Sequence, residues 1–198
     1  SVDVEILPLP EEDTLDNAGL FIGVGEFDAR ANLSKLRYTP DDAVALAHVF
    51  VIERGLIPPA RARLALGGAP ESEAGKKRLE ALREAGVAVT GAGKTDILDA
   101  LTDVSRLPAR ADSIIVVTFA THGFEEGGIA YAMPADGRRH LLDSTGISLE
   151  SVKSLMRESK ANKRLLIVDA CRERPEGETR GGGQMNTALR KALAQAEG

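Results

Sequence analysis

Two residue types that together perform nucleophilic catalysis end two apolar runs of this sequence. Cys171, the one cysteine of the chain, ends the run LLIVDAC, and His122 ends the run SIIVVTFATH. A thiol becomes a strong nucleophile when a neighbouring imidazolium lowers its pKa, and the imidazole then carries the proton to and from the reacting atoms. The pair therefore predicts a cysteine nucleophile, provided that the fold brings the two residues together.

Both runs have the composition of strands buried on both faces. Ser113 to Gly123 and Leu165 to Arg172 each contain at least four consecutive apolar residues, many of them β-branched. Such runs are typical of parallel sheets that are covered by helices on both sides. In open α/β sheets the chemistry lies outside the carboxyl ends of the strands. Those ends are where the histidine and the cysteine stand.

The rest of the sequence alternates between strand and helix patterns, which predicts an α/β fold with a mostly parallel sheet flanked by helices. Thr39, Pro40 and Asp42 have the pattern of a helix start with a capping box. The further predicted elements are strands at Ala18 to Gly25 and Arg61 to Leu66, helices at Glu71 to Ala85, Thr95 to Leu107 and from Ser148, and a hairpin at Gly127 to Gly137.

The residues around the two strand ends resemble the caspase and metacaspase superfamily of cysteine proteases, and its bacterial caspase-like members most. Asp169 to Arg172 contains the Ala-Cys-Arg core of a caspase-type nucleophile, and the histidine lies roughly 50 positions upstream. His122–Gly123 is similar to the His-Gly of the family. Four positions differ: Asp169 replaces the Gln usual in animal caspases, Glu173 replaces a Gly, and Ala120–Thr121 replaces a Ser-Gly. The resemblance extends from about Leu20 to Arg174.

This resemblance implies a caspase-like (Rossmann-like) α/β domain and, more closely, the large-subunit part of one. We expect an irregular segment at 1–17, the catalytic domain at 18–174, and a flexible loop and short helix at 175–198. Family members continue into a small-subunit region that adds strands to the same sheet. That region is the first partner that we predict, and protein substrates are the second.

The resemblance also implies roles for individual residues in peptide hydrolysis. Cys171 would attack the scissile carbonyl, and His122 would hold the thiol proton and deliver it to the leaving amine. The backbone N–H groups of Gly123 and Cys171 would form the oxyanion hole. A glycine at 123 fits because the substrate carbonyl must approach the backbone closely. The sequence identifies no third group that would orient the imidazole.

Two acidic residues predict cleavage after Arg or Lys. Asp169 lies two positions before Cys171, and therefore on the same face of a strand. Asp42 matches by resemblance the acid that helps to form the metacaspase S1 pocket, although a capping box alone explains it equally well. Cleavage after Asp stays an alternative, because Arg30 and Arg37 lie in the loop where animal caspases carry an arginine that binds the substrate aspartate.

Two further functions compete with an active protease. The first is a caspase-like pseudoenzyme, which would keep the fold as an interaction module. Thr121, which departs from the family pattern directly before His122, keeps this alternative open. A Rossmann-like nucleotide-binding module is suggested by GAGKT at Gly91 to Thr95, the end of a phosphate-binding loop. The first glycine of that motif falls at Ala88, and the preceding stretch is predicted to be helical. We therefore interpret GAGKT as a loop before a helix.

Composition and charge narrow the class of protein. A net charge of −5 provides no electrostatic surface for nucleic acid. A single cysteine permits no intrachain disulfide and fits a reducing compartment. No apolar run reaches the length of a membrane span, and the N-terminus lacks a signal-peptide pattern. We expect a cytoplasmic protein without membrane partners.

No cofactor or metal is predicted. The three histidines, His48, His122 and His140, have no metal-ligand spacing. Family analogy raises calcium activation, as in some metacaspases, although the sequence contains no calcium loop.

The polar, glycine-rich stretch after the nucleophile predicts proteolytic processing. Residues 173–183, ERPEGETRGGG, have the composition of a flexible loop, and such loops are preferred sites of cleavage. Arg180 lies in this loop, and Arg190 and Lys191 lie in the helical pattern beyond it. We expect cleavage at one of these residues by the protein itself or by an activating protease or regulator.

Overall fold

The structure is a computed structural model that describes residues 16–172, with side chains as far as Ala170. The elements alternate along the chain as the sequence predicts. The strands are β1 (Ala18–Val24), β2 (Ala62–Gly67), β3 (Ala88–Gly91), β4 (Ile114–Glu126), β5 (Ile129–Ala132), β6 (Ile147–Ser148) and β7 (Lys163–Arg172). The helices are α1 (Thr39–His48), α2 (Glu73–Glu84), α3 (Lys94–Arg106), α4 (Leu142–Thr145) and α5 (Leu149–Arg157).

The seven strands form one sheet, and β4, the strand that carries His122, lies in its middle. The order is β3-β2-β1-β4, with β1, β2 and β3 parallel to one another and β4 parallel to β1. β7 pairs with β4 in parallel from Ile114 to Gly123, and the short β5 pairs with the last residues of β4 in antiparallel. This mostly parallel sheet with helices on both sides is the predicted caspase-like α/β fold.

Helices cover the two faces of the sheet with separate apolar clusters. One cluster joins alternate residues of β1 and β4, such as Ile22 and Val117, to α3 and α5. The other joins the intervening residues, such as Phe21 and Val116, to α1 and α2. The face of the sheet that α1 and α2 cover is called the α1 face below. Because side chains alternate between faces along a strand, residue number alone assigns each β4 position to one side.

The start of α1 lies directly against the end of β1. A Cβ at Gly23 would approach the carbonyl oxygen of Thr39 to 2.5 Å and the Cβ of Ala43 to 2.8 Å. The absence of a side chain at Gly23 therefore lets the helix rest on the strand backbone. This contact keeps the first turn of α1 above the carboxyl end of the sheet.

The capping box predicted at the start of α1 is wrong. The N-cap residue is Tyr38, with no side-chain cap hydrogen bond, and Thr39 is the first helical residue. The Thr39 hydroxyl instead donates to the carbonyl of Leu36 at 3.4 Å. Asp42 consequently lies in the first turn without the capping role that the sequence suggested for it.

Burial on both faces holds for β4 but not for β7. Val116, Val117 and Phe119 are buried on their respective sides of β4. On β7, Leu166 and Val168 pack on the cluster next to α5, whereas Leu165 on the opposite face is 42% exposed. The sequence prediction therefore overstated the coverage of β7, because an apolar run does not by itself show whether a helix lies above it.

The interpretation of GAGKT needs one correction, because a short strand precedes it. β3 contains Gly91 and pairs with β2, and α3 begins three residues later at Lys94. The helix predicted before GAGKT ends at Glu84, and Gly86, at φ +94°, terminates it. The strand was missed because AVTG is short and mostly exposed.

The hairpin also differs from its predicted position. Its first strand is the end of β4 and its second is β5, so the turn is Gly127–Gly128. Both glycines have positive φ, +59° and +79°, which a two-residue turn with the correct twist requires. Within residues 16–172, none of the helices combines the length and the hydrophobicity needed to cross a bilayer.

Candidate active site

His122 lies at the carboxyl end of β4 on the α1 face and is almost fully buried. Its side chain is 1% exposed. Its Nε2 lies 2.8 Å from the carbonyl oxygen of Ser34, in the loop between β1 and α1. A carbonyl oxygen only accepts hydrogen bonds, so Nε2 carries the hydrogen, and in the neutral ring Nδ1 has the lone pair. The Ser34 carbonyl therefore sets the tautomer of the imidazole.

Aromatic rings fix the plane of the same imidazole. The ring centroid of Phe27 lies 5.0 Å from that of His122, and the centroid of Phe124 lies 6.2 Å away. Both pairs are tilted, an arrangement favourable for aromatic rings. Phe27 comes from the loop after β1 and Phe124 from β4 itself. Elements on two sides therefore restrict rotation of the ring.

The backbone of Met133 attaches the end of β4 to the segment after β5. Its N–H donates to the carbonyl of His122 at 3.0 Å. Its carbonyl accepts from the hydroxyl of Thr121 at 2.7 Å. Thr121, which replaces the glycine usual in the resembled family, is fully buried. Its hydroxyl thus has a structural partner, and the departure from the family pattern holds the histidine in position.

Cys171 is the register partner of His122 in the parallel pairing of β7 with β4. Adjacent strands lie about 4.8 Å apart, and positions paired in register share a face of the sheet. Positions 122 and 171 are therefore neighbours on the α1 face, at the carboxyl end of both strands. The sequence predicted this neighbourhood from strand ends alone, and the register places the two positions together.

Gly123 follows the histidine and makes room for β7. A Cβ at this position would lie 2.6 Å from the Cβ of Ala170, closer than two such atoms can approach. This contact is a packing reason for glycine, in addition to the close approach of a substrate that the sequence suggested. The oxyanion roles of Gly123 and Cys171 stay predictions, because no bound substrate tests them.

The two acidic residues predicted for the S1 pocket lie on the same side of the sheet. Asp169 is the register partner of Ala120 on β4 and is exposed. Asp42 is exposed in the first turn of α1. Partial desolvation raises the pKa of Asp42, and the negative charges of Asp169 and then Asp41 raise it further. The two carboxylates are therefore close enough for their charges to interact, and they are called the acidic patch below.

The two arginines that suggested the opposite specificity have acidic partners. The guanidinium of Arg30 lies 3.1 Å from Asp28, and this hydrogen bond lowers the pKa of Asp28 to about 2. Arg37 lies 3.1 Å from Glu71 and stacks on the ring of Tyr38. Both guanidinium groups are therefore already neutralised by neighbouring carboxylates.

The described part of the chain contains no cluster of metal ligands, and its GAGKT stretch is engaged in contacts within the protein. Its His, Cys, Asp and Glu side chains form no group of three or more that could hold a metal ion. The N-terminus of α3, where GAGKT would bind phosphate, is occupied by Asp136, which accepts from the N–H of Lys94 at 2.8 Å. The Lys94 ammonium donates to the carbonyl of Ser144 at 2.8 Å. These contacts argue against a phosphate-binding loop.

The Ser34 carbonyl is the group that the sequence did not reveal. It is a backbone atom in a loop, 88 positions before His122, so no residue type marks it. Further predictions lie outside the described residues. They are the side chain of Cys171, the loop and helix at 175–198 with the processing sites Arg180, Arg190 and Lys191, and residues 1–15 of the irregular segment.

Comparison with known families gives one match that covers most of the chain. The model of the caspase domain family matches residues 17–196. A comparison with individual curated proteins finds no significant match.

Proposed function

We propose that this chain, which belongs to the caspase domain family of cysteine peptidases, is an endopeptidase with Cys171 and His122 as its catalytic dyad. The register pairing of these two positions at the carboxyl ends of β4 and β7 carries the proposal. Membership of the family supplies the reaction class, and the pairing supplies the two residues.

The imidazole contacts support the direction of proton transfer. With the Nε2 hydrogen donated to the Ser34 carbonyl, Nδ1 is the nitrogen that takes the proton from the Cys171 thiol. The carbonyl stabilises the imidazolium that results and keeps it oriented toward β7. The same nitrogen then protonates the leaving amine, and water attacks the acyl-enzyme. In the proposed mechanism the N–H groups of Gly123 and Cys171 stabilise the oxyanion.

The acidic patch supports cleavage after Arg or Lys. Asp169 lies two positions from the nucleophile on the same face, and Asp42 lies near enough to Asp169 for their charges to interact. Two neighbouring carboxylates favour a basic side chain and repel an acidic one. The ion pairs of Arg30 and Arg37 argue against an aspartate pocket in this loop.

Processing and calcium dependence extend this proposal. We expect cleavage after Arg180, or at Arg190–Lys191, because each presents the proposed P1 residue close after the nucleophile. Intact mass spectrometry of active and Cys171→Ala protein would test it: cutting in both indicates another protease, and cutting in the active protein alone indicates self-processing. The same preparations, assayed with calcium and with a chelator, would show whether calcium activates the enzyme.

A peptide probe tests the proposed function directly. The protein is incubated with a short peptide that has arginine before a thiol-reactive warhead, and intact mass and peptide mapping follow. We expect one covalent addition at Cys171 in the native protein. The matched probe with aspartate in place of arginine should react much more slowly.

Two controls make the result decisive. The His122→Ala variant should lose most of the labelling, since its thiol is no longer activated. Heat-denatured protein should label equally slowly with both probes. Equal labelling of native and denatured protein would show an ordinary thiol and would contradict the proposed activity.

A further inference from the structure

The outer edge of β3 lies beside an open groove that the proposed catalysis does not use. The groove has a volume of about 580 Å³ and lies between β3 and α2. Leu79 of α2 and Val89 of β3 face into it, and Arg83 is its one charged lining residue. The remaining lining residues are Leu66, Gly68, Ala69, Val87, Thr90 and Gly91.

The outer edge of β3 and the side chain of Arg83 lack partners in the described part of the chain. β3 pairs with β2 on one side, and no described strand pairs with its other side. An open edge of this kind presents backbone donors and acceptors to any extended segment that passes. Arg83 is exposed, and within the described residues its guanidinium forms no ion pair. The groove thus offers backbone hydrogen bonds, apolar side chains such as those of Leu79 and Val89, and one positive charge.

The sequence 1–15 has the complementary pattern. In Val2 to Ile6, valine or isoleucine at every second position alternates with Asp3 and Glu5, which is the period of a strand with one apolar side. Pro8 cannot donate to a sheet and marks the end of the pattern. Residues 1–15 also contain Glu11, Glu12 and Asp13 but no Lys or Arg. The segment is therefore apolar on one side, acidic overall, and opposite in charge to Arg83.

The chain enters the described structure at the right end of the sheet. Asp16 accepts a hydrogen bond from Arg61 at 3.0 Å, and Arg61 directly precedes β2. A new strand outside β3 would lie two strand spacings from β2, about 10 Å. Residues 8–15 can span about 26 Å when extended. Residues 8–15 are therefore long enough to connect such a strand to Asp16. The strand would run antiparallel to β3, because Asp16 lies at the amino ends of β1 and β2.

The position of Arg83 agrees with this direction. It lies near the end of α2, just before the turn at Gly86 that leads into β3. The guanidinium is therefore near the amino end of β3, where residues 8–15 would leave the groove. Glu11 to Asp13 belong to that connecting stretch.

We propose that residues 2–7 of this chain add to the outer edge of β3 as an antiparallel strand, with Val2, Val4 and Ile6 packed in the groove beneath α2. The acidic stretch that follows passes Arg83. The added strand closes an edge that would otherwise be open to pairing with other chains. For residues 2–7 this strand would replace the irregular conformation predicted for 1–17, and its formation does not depend on protease activity.

Disulfide trapping tests whether residues 2–6 contact β3 and which of their side chains face the groove. In full-length Cys171→Ala protein, Val89→Cys is combined in turn with cysteine at positions 2, 3, 4, 5 and 6, and the protein is oxidised mildly. Side chains of neighbouring strands form disulfides only when they share a face. We expect monomeric cross-linked protein from one or more of positions 2, 4 and 6, at several times the yield from positions 3 and 5.

Three results would overturn the proposal. Equal yields from odd and even positions would exclude a strand with the stated phase. No cross-link at any position would exclude the contact. A cross-linked dimer without cross-linked monomer would show that the groove binds a second copy and not the segment of its own chain.

Hydrogen exchange provides a second measurement on the uncut chain. The Val4→Asp/Ile6→Asp variant places charge on the apolar side of the segment, and Leu9→Asp adds charge beyond Pro8 as the matched control. We expect amides of residues 87–91 to exchange about tenfold faster in the first variant and unchanged in the second. Equal exchange in native protein and in both variants would contradict strand addition, whatever the catalytic activity of the protein.

Discussion

The two strands that carry the proposed dyad differ sharply in how they are held. The end of β4 is enclosed: His122 is 1% exposed, and the Ser34 carbonyl, the Phe27 ring and the Met133 backbone all contact it or its strand. On β7, Leu165 is 42% exposed and Asp169 is exposed on the same face. The proposed base is therefore enclosed, whereas the strand of the proposed nucleophile carries an open face.

This difference fits a division of labour between the strands. A general base acts best when its orientation is fixed before the substrate arrives. A substrate, in contrast, must reach the nucleophile and the acidic patch from an open side. The buried end of β4 meets the first requirement and the open face of β7 meets the second. Substitutions on the two strands should therefore have different effects on catalysis and on substrate binding.

The largest effect is expected from the two dyad residues. Cys171→Ala and His122→Ala should each lower kcat/KM by about 10³-fold or more, because they serve one proton-transfer unit. Circular dichroism and thermal unfolding would check that the fold persists. Their effects should not multiply in the double variant, and substantial turnover by either pure single variant would contradict the assignment.

The next effect should come from filling the space beside the histidine. Gly123→Ala places a Cβ 2.6 Å from that of Ala170 and should displace the end of β7 from β4. A displacement of about 1 Å in an active site lowers the rate by about 10²-fold. The Gly123→Ala/Ala170→Gly variant removes the clash and should recover most of the activity. Failure of this rescue would assign the glycine to substrate approach alone.

Neutralising the acidic patch should alter specificity more than turnover. Asp169→Asn should lower kcat/KM for an arginine substrate by about 10- to 100-fold, the value of a hydrogen bond to a charged group. Asp42→Asn should act in the same direction and less strongly. Arg30→Ala and Arg37→Ala are the controls and should change little. A peptide library that selects acidic P1 residues would reverse this interpretation.

Two threonines of β4 provide a matched pair for stability. Thr121→Val removes the donor to the buried Met133 carbonyl and should lower the free energy of unfolding by about 1–3 kcal/mol. The buried Thr118 hydroxyl has no hydrogen-bond partner within the described residues, so Thr118→Val should be neutral or stabilising. Urea unfolding measures both. Equal losses would show that the hydrogen bond to Met133 contributes nothing.

The smallest effect concerns pH. The pKa of Asp42 is raised, so this carboxyl becomes protonated at a higher pH than an ordinary aspartate. Its contribution to folding is present below the unfolded-state pKa and is lost as the pH rises through the raised pKa. Binding of a basic P1 residue should follow the opposite trend, because it needs the ionised form. In pH profiles of kcat/KM, Asp42→Asn should shift the acidic limb to lower pH.

Much of the fold was predictable because apolar periodicity reports burial. The runs around Phe119 and Ile167 predicted β4 and β7, and Ser148 was correctly predicted as the N-cap of α5, with its hydroxyl accepting from the N–H of Ser151. β3 could not be predicted in the same way. It is short and mostly exposed, so its conformation is decided by its pairing with β2 and not by its composition.

The sequence by itself determined the reacting residue types. A single cysteine and a histidine, each at the end of an apolar run, predicted the dyad, and the acidic residue before the nucleophile predicted a basic preference. These inferences depend on local composition and on the direction of parallel strands, both of which the order of residues contains.

The tertiary structure alone decided which atoms meet. Only the register of β4 with β7 makes His122 the partner of position 171, and only the loop before α1 brings the Ser34 carbonyl to the imidazole. The ion pairs of Arg30 and Arg37 and the proximity of Asp42 to Asp169 are likewise contacts between side chains whose types leave their partners open. Backbone carbonyls and charge partners have no sequence signature, because the path of the chain in space selects them.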